Sequence, residues 1–157
     1  MQYGIAKELS EKLLNALLPG CVRAEVVGSV KRADKLDVHD IEILCIANPK
    51  APRILFGQKD RFKNLLESTL AYMQANRLIG LPKLNGDRLK KFPILIGCTE
   101  EVNPFYLELY IVQPETWAIQ NVIRTGPSEF SHHFVTNVAH GGLLPNCYSY
   151  MKGETRI

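Results

Sequence analysis

Two carboxylates two residues apart, Asp40 and Glu42, stand inside the apolar run DIEILCI, downstream of VVGSVKRADKLDVH. Residues two apart on a β-strand project from the same face. A strand over residues 40–46 therefore sets both acids side by side, with Ile41, Ile43 and Cys45 on the opposite face. Burying neighbouring negative charges is costly and raises their pKa values unless a cation lies between them. The pair accordingly reads as a divalent-metal site, the alternative being a polar edge strand with two solvated acids. What favours chemistry is the Gly28-Ser29 turn that closes an apolar stretch upstream.

A third acid, Glu108, sits in the middle of FYLELYIV, where Leu107, Leu109 and Ile111 alternate with Tyr106, Glu108 and Tyr110. A single acid in mid-strand is usually a satisfied or edge residue, so Glu108 gains meaning only if its strand neighbours that of Asp40 and Glu42. In that arrangement the three carboxylates could hold two divalent ions about 3.5 to 4 Å apart, activating an attacking hydroxyl and neutralising a leaving pyrophosphate. An all-oxygen ligand set suits Mg²⁺, with Mn²⁺ able to substitute, and does not suit zinc. Ser29 offers a hydroxyl, the Gly28-Ser29 turn offers backbone N–H groups, and Arg32 offers forked donors to phosphate oxygens. Thr125-Gly126 falls between two helical patterns and completes a set that phosphoryl chemistry can use.

The elements that must position these residues follow from periodicity. Ile5, Leu9, Leu13, Ala16 and Leu17 recur at helical spacing and stop at Pro19-Gly20. Residues 22–27 read as a strand ending at Gly28-Ser29, and 40–46 as a second. A Pro-containing loop over 48–57 leads to a helix marked by Phe62, Leu65, Leu66, Leu70 and Met73, expected on the back of the sheet. Pro82 and the Asn85-Gly86 turn precede an apolar strand expected over 92–98, a polar turn over 99–104 and a strand within 105–112. Pro114, Trp117, Val122 and Ile123 mark a helix ending near Thr125-Gly126. A further helix begins at Pro127-Ser128-Glu129, carries Phe130, Phe134, Val135 and Val138 on one side, and stops at Gly141-Gly142, with a short strand in the remainder. Trp117 and the Phe130/Phe134 pair are expected in the core rather than as base-stacking platforms.

Composition sets bounds on all of this. A chain of 157 residues, 46% hydrophobic and 22% charged, has enough material for a folded core. Its formal charge of +3 permits contact with phosphates without establishing it. The positive excess is concentrated: Lys50, Arg53, Lys59, Arg61 and Lys63 face only Asp60, and Lys83, Arg88, Lys90 and Lys91 face only Asp87. Cys21, Cys45, Cys98 and Cys147 show no C-x-x-C, which argues against a zinc ribbon or redox dithiol and for core thiols at Cys45 and Cys98 in a reducing compartment. Adjacent His132 and His133 point to different sides of a helix and no carboxylate is spaced with them, so a metal site built on the histidines, His39 and His140 included, is not expected. No apolar run approaches a membrane span, and a soluble, cytoplasmic, monomeric protein is expected.

Taken in order, Gly28-Ser29, Arg32, Asp40-Ile41-Glu42, Glu108 and Thr125-Gly126 resemble the motif series of the DNA polymerase beta nucleotidyltransferase superfamily. Within it the chain is most similar to the family X polymerases, especially the small palm-plus-fingers members of viruses and phages. Many nucleotidyltransferases share the first motif; the stretch LELYIVQPETWAIQNVIRTGPSEF, which joins the third acid to the Thr-Gly, belongs to the polymerase branch.

The resemblance spans roughly residues 5 to 150 and implies an α+β fold. Its palm, over 1–112, would have a mixed, mainly antiparallel sheet backed by helices, and a nucleotide-binding lobe would occupy 113–157. It also implies transfer of dNMP from a dNTP to the 3′-hydroxyl of a DNA primer-template or gapped DNA, with release of pyrophosphate. Asp40 and Glu42 would bind both Mg²⁺ ions, and Glu108 would complete the catalytic one and help deprotonate the primer. Gly28, Ser29 and Arg32 would hold the β and γ phosphates, and Thr125-Gly126 would border the sugar. Lys83, Arg88, Lys90 and Lys91 would approach the DNA backbone. The chain departs from the pattern in having Glu for Asp at positions 42 and 108, and Ile123-Arg124 where a Tyr-Phe pair commonly precedes the Thr-Gly. Lyase and helix-hairpin-helix segments are not expected ahead of the palm, and family chains usually continue beyond the point matching Lys152. Two other readings fit the same residues: a small-molecule nucleotidyltransferase of the aminoglycoside-modifying kind, and a catalytically silent nucleotide- or DNA-binding module.

Overall fold

The computed structural model describes residues 1–52, 62–96, 105–146, 149–151 and 154–156, the last two stretches as backbone. The loop expected over 48–57 lies outside this description past residue 52. So do the polar turn over 99–104, Cys98 and Cys147.

Five strands form one mixed sheet in the order β1-β2-β5-β4-β3, where β1 is Cys21–Val27, β2 Asp40–Ala47, β3 Leu84–Asn85, β4 Leu89–Pro93 and β5 Tyr106–Ile111. The central neighbours β2 and β5 run parallel, and the other pairs are antiparallel. This is the α+β architecture expected from the sequence. A parallel pair needs a long crossover, and the segment between β2 and β5 supplies one. It carries α3 (Leu65–Ala75) and the β3–β4 hairpin.

The helices α1 (Tyr3–Leu17) and α3 cover one face of the sheet. Leu9, Leu13 and Leu17 of α1 meet Leu66, Leu70 and Met73 of α3 over Ile41, Ile43, Cys45, Phe92, Leu107 and Leu109. The buried stripe of α1 runs through Ala6 rather than Ile5, which is exposed. Helix α3 starts where its chemistry dictates: the Asn64 side chain accepts from the Glu67 N–H at 2.9 Å, and the Glu67 carboxylate reaches back to the Lys63 N–H at 2.8 Å. Two otherwise orphaned donors are thus satisfied reciprocally. Cys45 is buried in this core, and Cys21 packs against the same cluster.

The strand expected over 92–98 forms instead as β4, which begins earlier and ends at Pro93. Its ladder starts at Leu89 opposite Tyr110 and stops at Pro93 opposite Tyr106. The shift puts Lys90 on the helix-covered face beside Phe92, with its ammonium bonded to the Asn85 side chain at 2.7 Å and the residue only 8% exposed.

The opposite face is shared between two uses. Helix α4 (Trp117–Thr125), entered through a 3₁₀ turn at Pro114–Thr116, lays Trp117 on Val27, Leu44 and Ile46. Helix α5 (Ser128–Val135) is shorter than its apolar pattern suggested, a separate 3₁₀ turn forming at Val138–His140. Trp117 is core, as expected; Phe130 is not. Phe130 stacks on Phe134 with ring centroids 6.1 Å apart while remaining 43% exposed, because α5 packs on α4 and not on the sheet. The strands β6 (Ser149–Met151) and β7 (Glu154–Arg156) pair antiparallel as a separate hairpin. Among the described residues no helix is long and apolar enough to cross a membrane.

Trp117→Ala should therefore lower unfolding free energy by about 3–5 kcal/mol, and Phe130→Ala by about 1 kcal/mol or less. Urea denaturation of the two variants checks the contrast, and equal losses would contradict this division of the face.

Candidate active site

Asp40 and Glu42 lie on β2 with their side chains away from the α1–α3 core, and the parallel register sets Glu42 directly opposite Glu108 of β5. Residues paired in register on adjacent strands project from the same face, so all three acids occupy one side of the sheet. Asp40 stands opposite Tyr106, one step along the same face. Both β2 acids titrate above the ordinary carboxylate range. For Asp40 and for Glu42 alike the larger cause is burial, followed by repulsion from Glu108.

Glu108 is compensated. One of its oxygens accepts from the Lys91 ammonium at 3.0 Å, and the other from the Tyr110 hydroxyl at 2.7 Å. The hydrogen bond to Glu108 holds Lys91 more firmly protonated than a free lysine. Tyr110 is pushed well above a free phenol, first by burial and then by its bond to Glu108. With both oxygens so engaged, Glu108 does not close on Asp40 and Glu42 as a ready-made cage. Among the described residues no three His, Cys, Asp or Glu side chains do. The donor set nevertheless fits a hard divalent ion: three carboxylates on one face, two of them harder to ionise than free carboxylates despite the cationic side chains around them.

Gly28 opens the short helix α2 (Gly28–Arg32) with φ of 72°, a backbone conformation that side-chain-bearing residues rarely adopt. A Cβ there would collide with the Glu42 carboxylate, lying 2.7 Å from its Cδ. The Gly-Ser motif thus brings the backbone into contact with the second acid. Ser29 follows, half-buried in the first turn of α2.

Arg32 joins the first motif to the last. Its Nε donates to Asp34 at 2.9 Å, and one terminal nitrogen donates to the carbonyls of Thr125 and Gly126 at 3.2 and 3.3 Å. From the other side, the Thr125 hydroxyl donates to Asn121 at 3.2 Å, and the Asn121 amide donates to Glu25 of β1 at 2.8 Å. Gly126 also has a packing role, since a Cβ on it would come within 2.7 Å of the Phe130 ring.

Of the twelve residues singled out from the sequence, Asp40, Glu42 and Glu108 share a face, Gly28 abuts Glu42, and Arg32 touches Thr125 and Gly126. The four cations expected at DNA do not form one patch. Lys83 and Lys91 flank the Tyr106 ring, their ammonium groups 5.1 and 4.8 Å from its centroid. Lys90 turns to the opposite face, and Arg88 is exposed at the end of the β3–β4 hairpin. Lys91, expected at DNA, bonds instead to Glu108, and two further side chains at the acids, Tyr110 and Arg124, were not among the residues singled out. Tyr110 could have been found from its spacing, two residues after Glu108 on the same face. Arg124, in the last turn of α4, lies over the Tyr110 ring at 4.1 Å and favours the charged form of Glu42. No sequence signal marked it beyond its place before Thr125. Comparison with protein-family models finds no match to this chain, and a search of curated proteins finds no significant match.

Two outcomes follow. Gly28→Ala should destabilise the fold by more than the ~1 kcal/mol at stake in ordinary glycine replacements, because both φ and the Glu42 contact oppose the new methyl; thermal melting reads this. Glu42 binds its proton more tightly in the folded chain than in the unfolded one. Its ionisation therefore costs stability as pH rises from the ordinary glutamate range through the raised pKa. Glu42→Gln removes that cost, so in chelator the variant should melt above the parent at pH 7, and the difference should fade below about pH 4. A parent that melts higher at pH 7 would refute the cost of burying an ionised Glu42 here.

Proposed function

We propose that this chain is a metal-dependent nucleotidyltransferase that adds dNMP from a dNTP to the 3′-hydroxyl of a DNA primer, releasing pyrophosphate. The observation that carries the reading is the parallel register of β2 and β5, which aligns Glu42 with Glu108 and brings Asp40 onto the same face. The bond from Arg32 to Thr125 and Gly126 supports the polymerase branch, because it ties together the two motifs that this branch combines.

In the proposed reaction the primer 3′-oxygen bonds to the α-phosphorus, the bond to the bridging oxygen of the β-phosphate breaks, and the hydroxyl proton is lost. Bound divalent ions would supply an acidified hydroxyl and charge neutralisation on the pyrophosphate. Asp40, Glu42 and Glu108 would hold those ions. Each Glu108 oxygen accepts one bond from Lys91 or Tyr110 and retains a lone pair for an ion or the departing proton. Gly28, by lacking a side chain, lets Glu42 stay against the α2 turn, where Ser29 presents its hydroxyl to the phosphates. Thr125 and Gly126, braced between Arg32 and Asn121, would border the sugar.

A second reading, transfer of a nucleotide to a small hydroxylated acceptor, is favoured by one feature. Lys90 is buried and Lys91 is committed to Glu108, which leaves a thinner cationic surface for DNA than the sequence suggested.

Labelled primer-template, each dNTP and Mg²⁺ should give template-matched extension. Asp40→Ala should reduce it by about 10²- to 10³-fold or more, as expected where several kcal/mol of charge stabilisation is lost. Extension undiminished in that variant would remove Asp40 from the site. Transfer to a small alcohol with none to DNA would replace the first reading by the second. DNA affinity should be weak and fall steeply with salt, since phosphate contacts dominate it.

A further inference from the structure

We propose that Arg124, and not Arg32, is the guanidinium that binds the phosphate chain of the incoming nucleotide, with Arg32 serving as a strut between α2 and α4. The inference rests on the nucleotidyltransferase reading and reassigns one role within it. Arg32 is already spent: Nε is bonded to Asp34, and a terminal nitrogen is shared between the Thr125 and Gly126 carbonyls. A guanidinium anchored at these points holds two backbone segments together and has little freedom to follow a substrate.

Arg124 is in the opposite condition. Its Nε is shielded from solvent and hydrogen-bonds to nothing, the one such side-chain atom among the described residues. A buried donor left unpaired forfeits its full solvation, and an orphan of this kind calls for an absent partner. The guanidinium plane is held 4.1 Å above the Tyr110 ring, an arrangement that fixes direction while leaving the N–H fork unused. Tyr110 is itself fixed by its bond to Glu108, so the ring on which Arg124 stacks is anchored to the acid cluster. Stacking on Tyr110, whose hydroxyl bonds to Glu108, places Arg124 on the acid-bearing face. A rigid, stacked guanidinium with unused donors beside carboxylates that call for divalent ions has the chemistry to bind a metal-complexed polyphosphate.

The test is calorimetric binding to the full chain, without acceptor, of Mg²⁺-tripolyphosphate, a Mg²⁺-dNTP and an unphosphorylated deoxynucleoside. Arg124→Met should weaken both polyphosphates by about 10- to 100-fold, the range expected for lost charge-assisted hydrogen bonds, and leave the nucleoside unaffected. Arg124→Lys, which keeps charge without the fork, should fall between. Arg32→Met should lower the melting temperature more than Arg124→Met does and weaken polyphosphate less. Unchanged tripolyphosphate affinity in a folded Arg124→Met, or in Arg124→Lys if the methionine variant does not fold, overturns the proposal and leaves the polymerase reading standing. Tripolyphosphate binding that depends on Arg124, with no dNTP binding and no nucleotide transfer, supports the anion site and sinks the enzymatic reading. A wild-type chain that binds neither polyphosphate refutes both.

Discussion

Burial of carboxylates on one face of the β2–β5 pair, with repulsion from Glu108 added to it, is the constraint around which the rest of the site is arranged. Parallel pairing in register leaves Glu42 and Glu108 facing the same way on adjacent strands, and burial removes the water that would otherwise screen them. The surrounding side chains act on that repulsion from several directions. Lys91 comes from β4 and Tyr110 from β5, and both engage Glu108. Arg124 approaches from α4, and Glu42 also senses Arg32 of α2. Even so, Asp40 and Glu42 remain harder to ionise than free carboxylates, and that residual cost is what a divalent cation could relieve.

The face that carries the acids also has to hold the fold together. The β2 positions on this side read Asp40, Glu42, Leu44 and Ile46, so the strand changes from charged to apolar halfway along. Its apolar half lies under Trp117, and its charged half meets the α2 turn. Helix α4 spans the two, packing through Trp117 at one end and presenting Arg124, Thr125 and Gly126 at the other. One helix thus couples core burial to site geometry. Arg23 over the Trp117 ring at 4.4 Å and Asn121 bonded to Glu25 tie the same helix to β1.

Lysines 90 and 91 show where reading the chain in one dimension loses information. As a run they resemble a solvated basic patch, and they were read with Lys83 and Arg88 as one surface. In the sheet they are consecutive strand residues and must point to opposite faces. Lys90 runs its stem along the core and reaches Asn85, while Lys91 neutralises Glu108. The apolar run beginning at Phe92 suggests a strand start three residues too late, because the lysines hide the pairing of Leu89 with Tyr110. Phe130 and Phe134 misled in the reverse sense. Helical spacing of apolar residues says that a face exists, but not that anything covers it.

Alternation alone determined that Asp40 and Glu42 share a face, that Glu108 stands apart from its leucine neighbours, and that helices at either side of 21–47 have a sheet to cover. Those results depend only on local backbone period, which the chain carries within a few residues. Tertiary structure decided which strands become neighbours, and with it that Glu42 meets Glu108, that Lys91 and not an open surface receives the third acid, and that Arg32 reaches across 93 residues to the carbonyl of Thr125. These contacts join residues far apart in sequence, and their existence rests on the crossover that sets β5 beside β2, a choice made by the burial of the whole core.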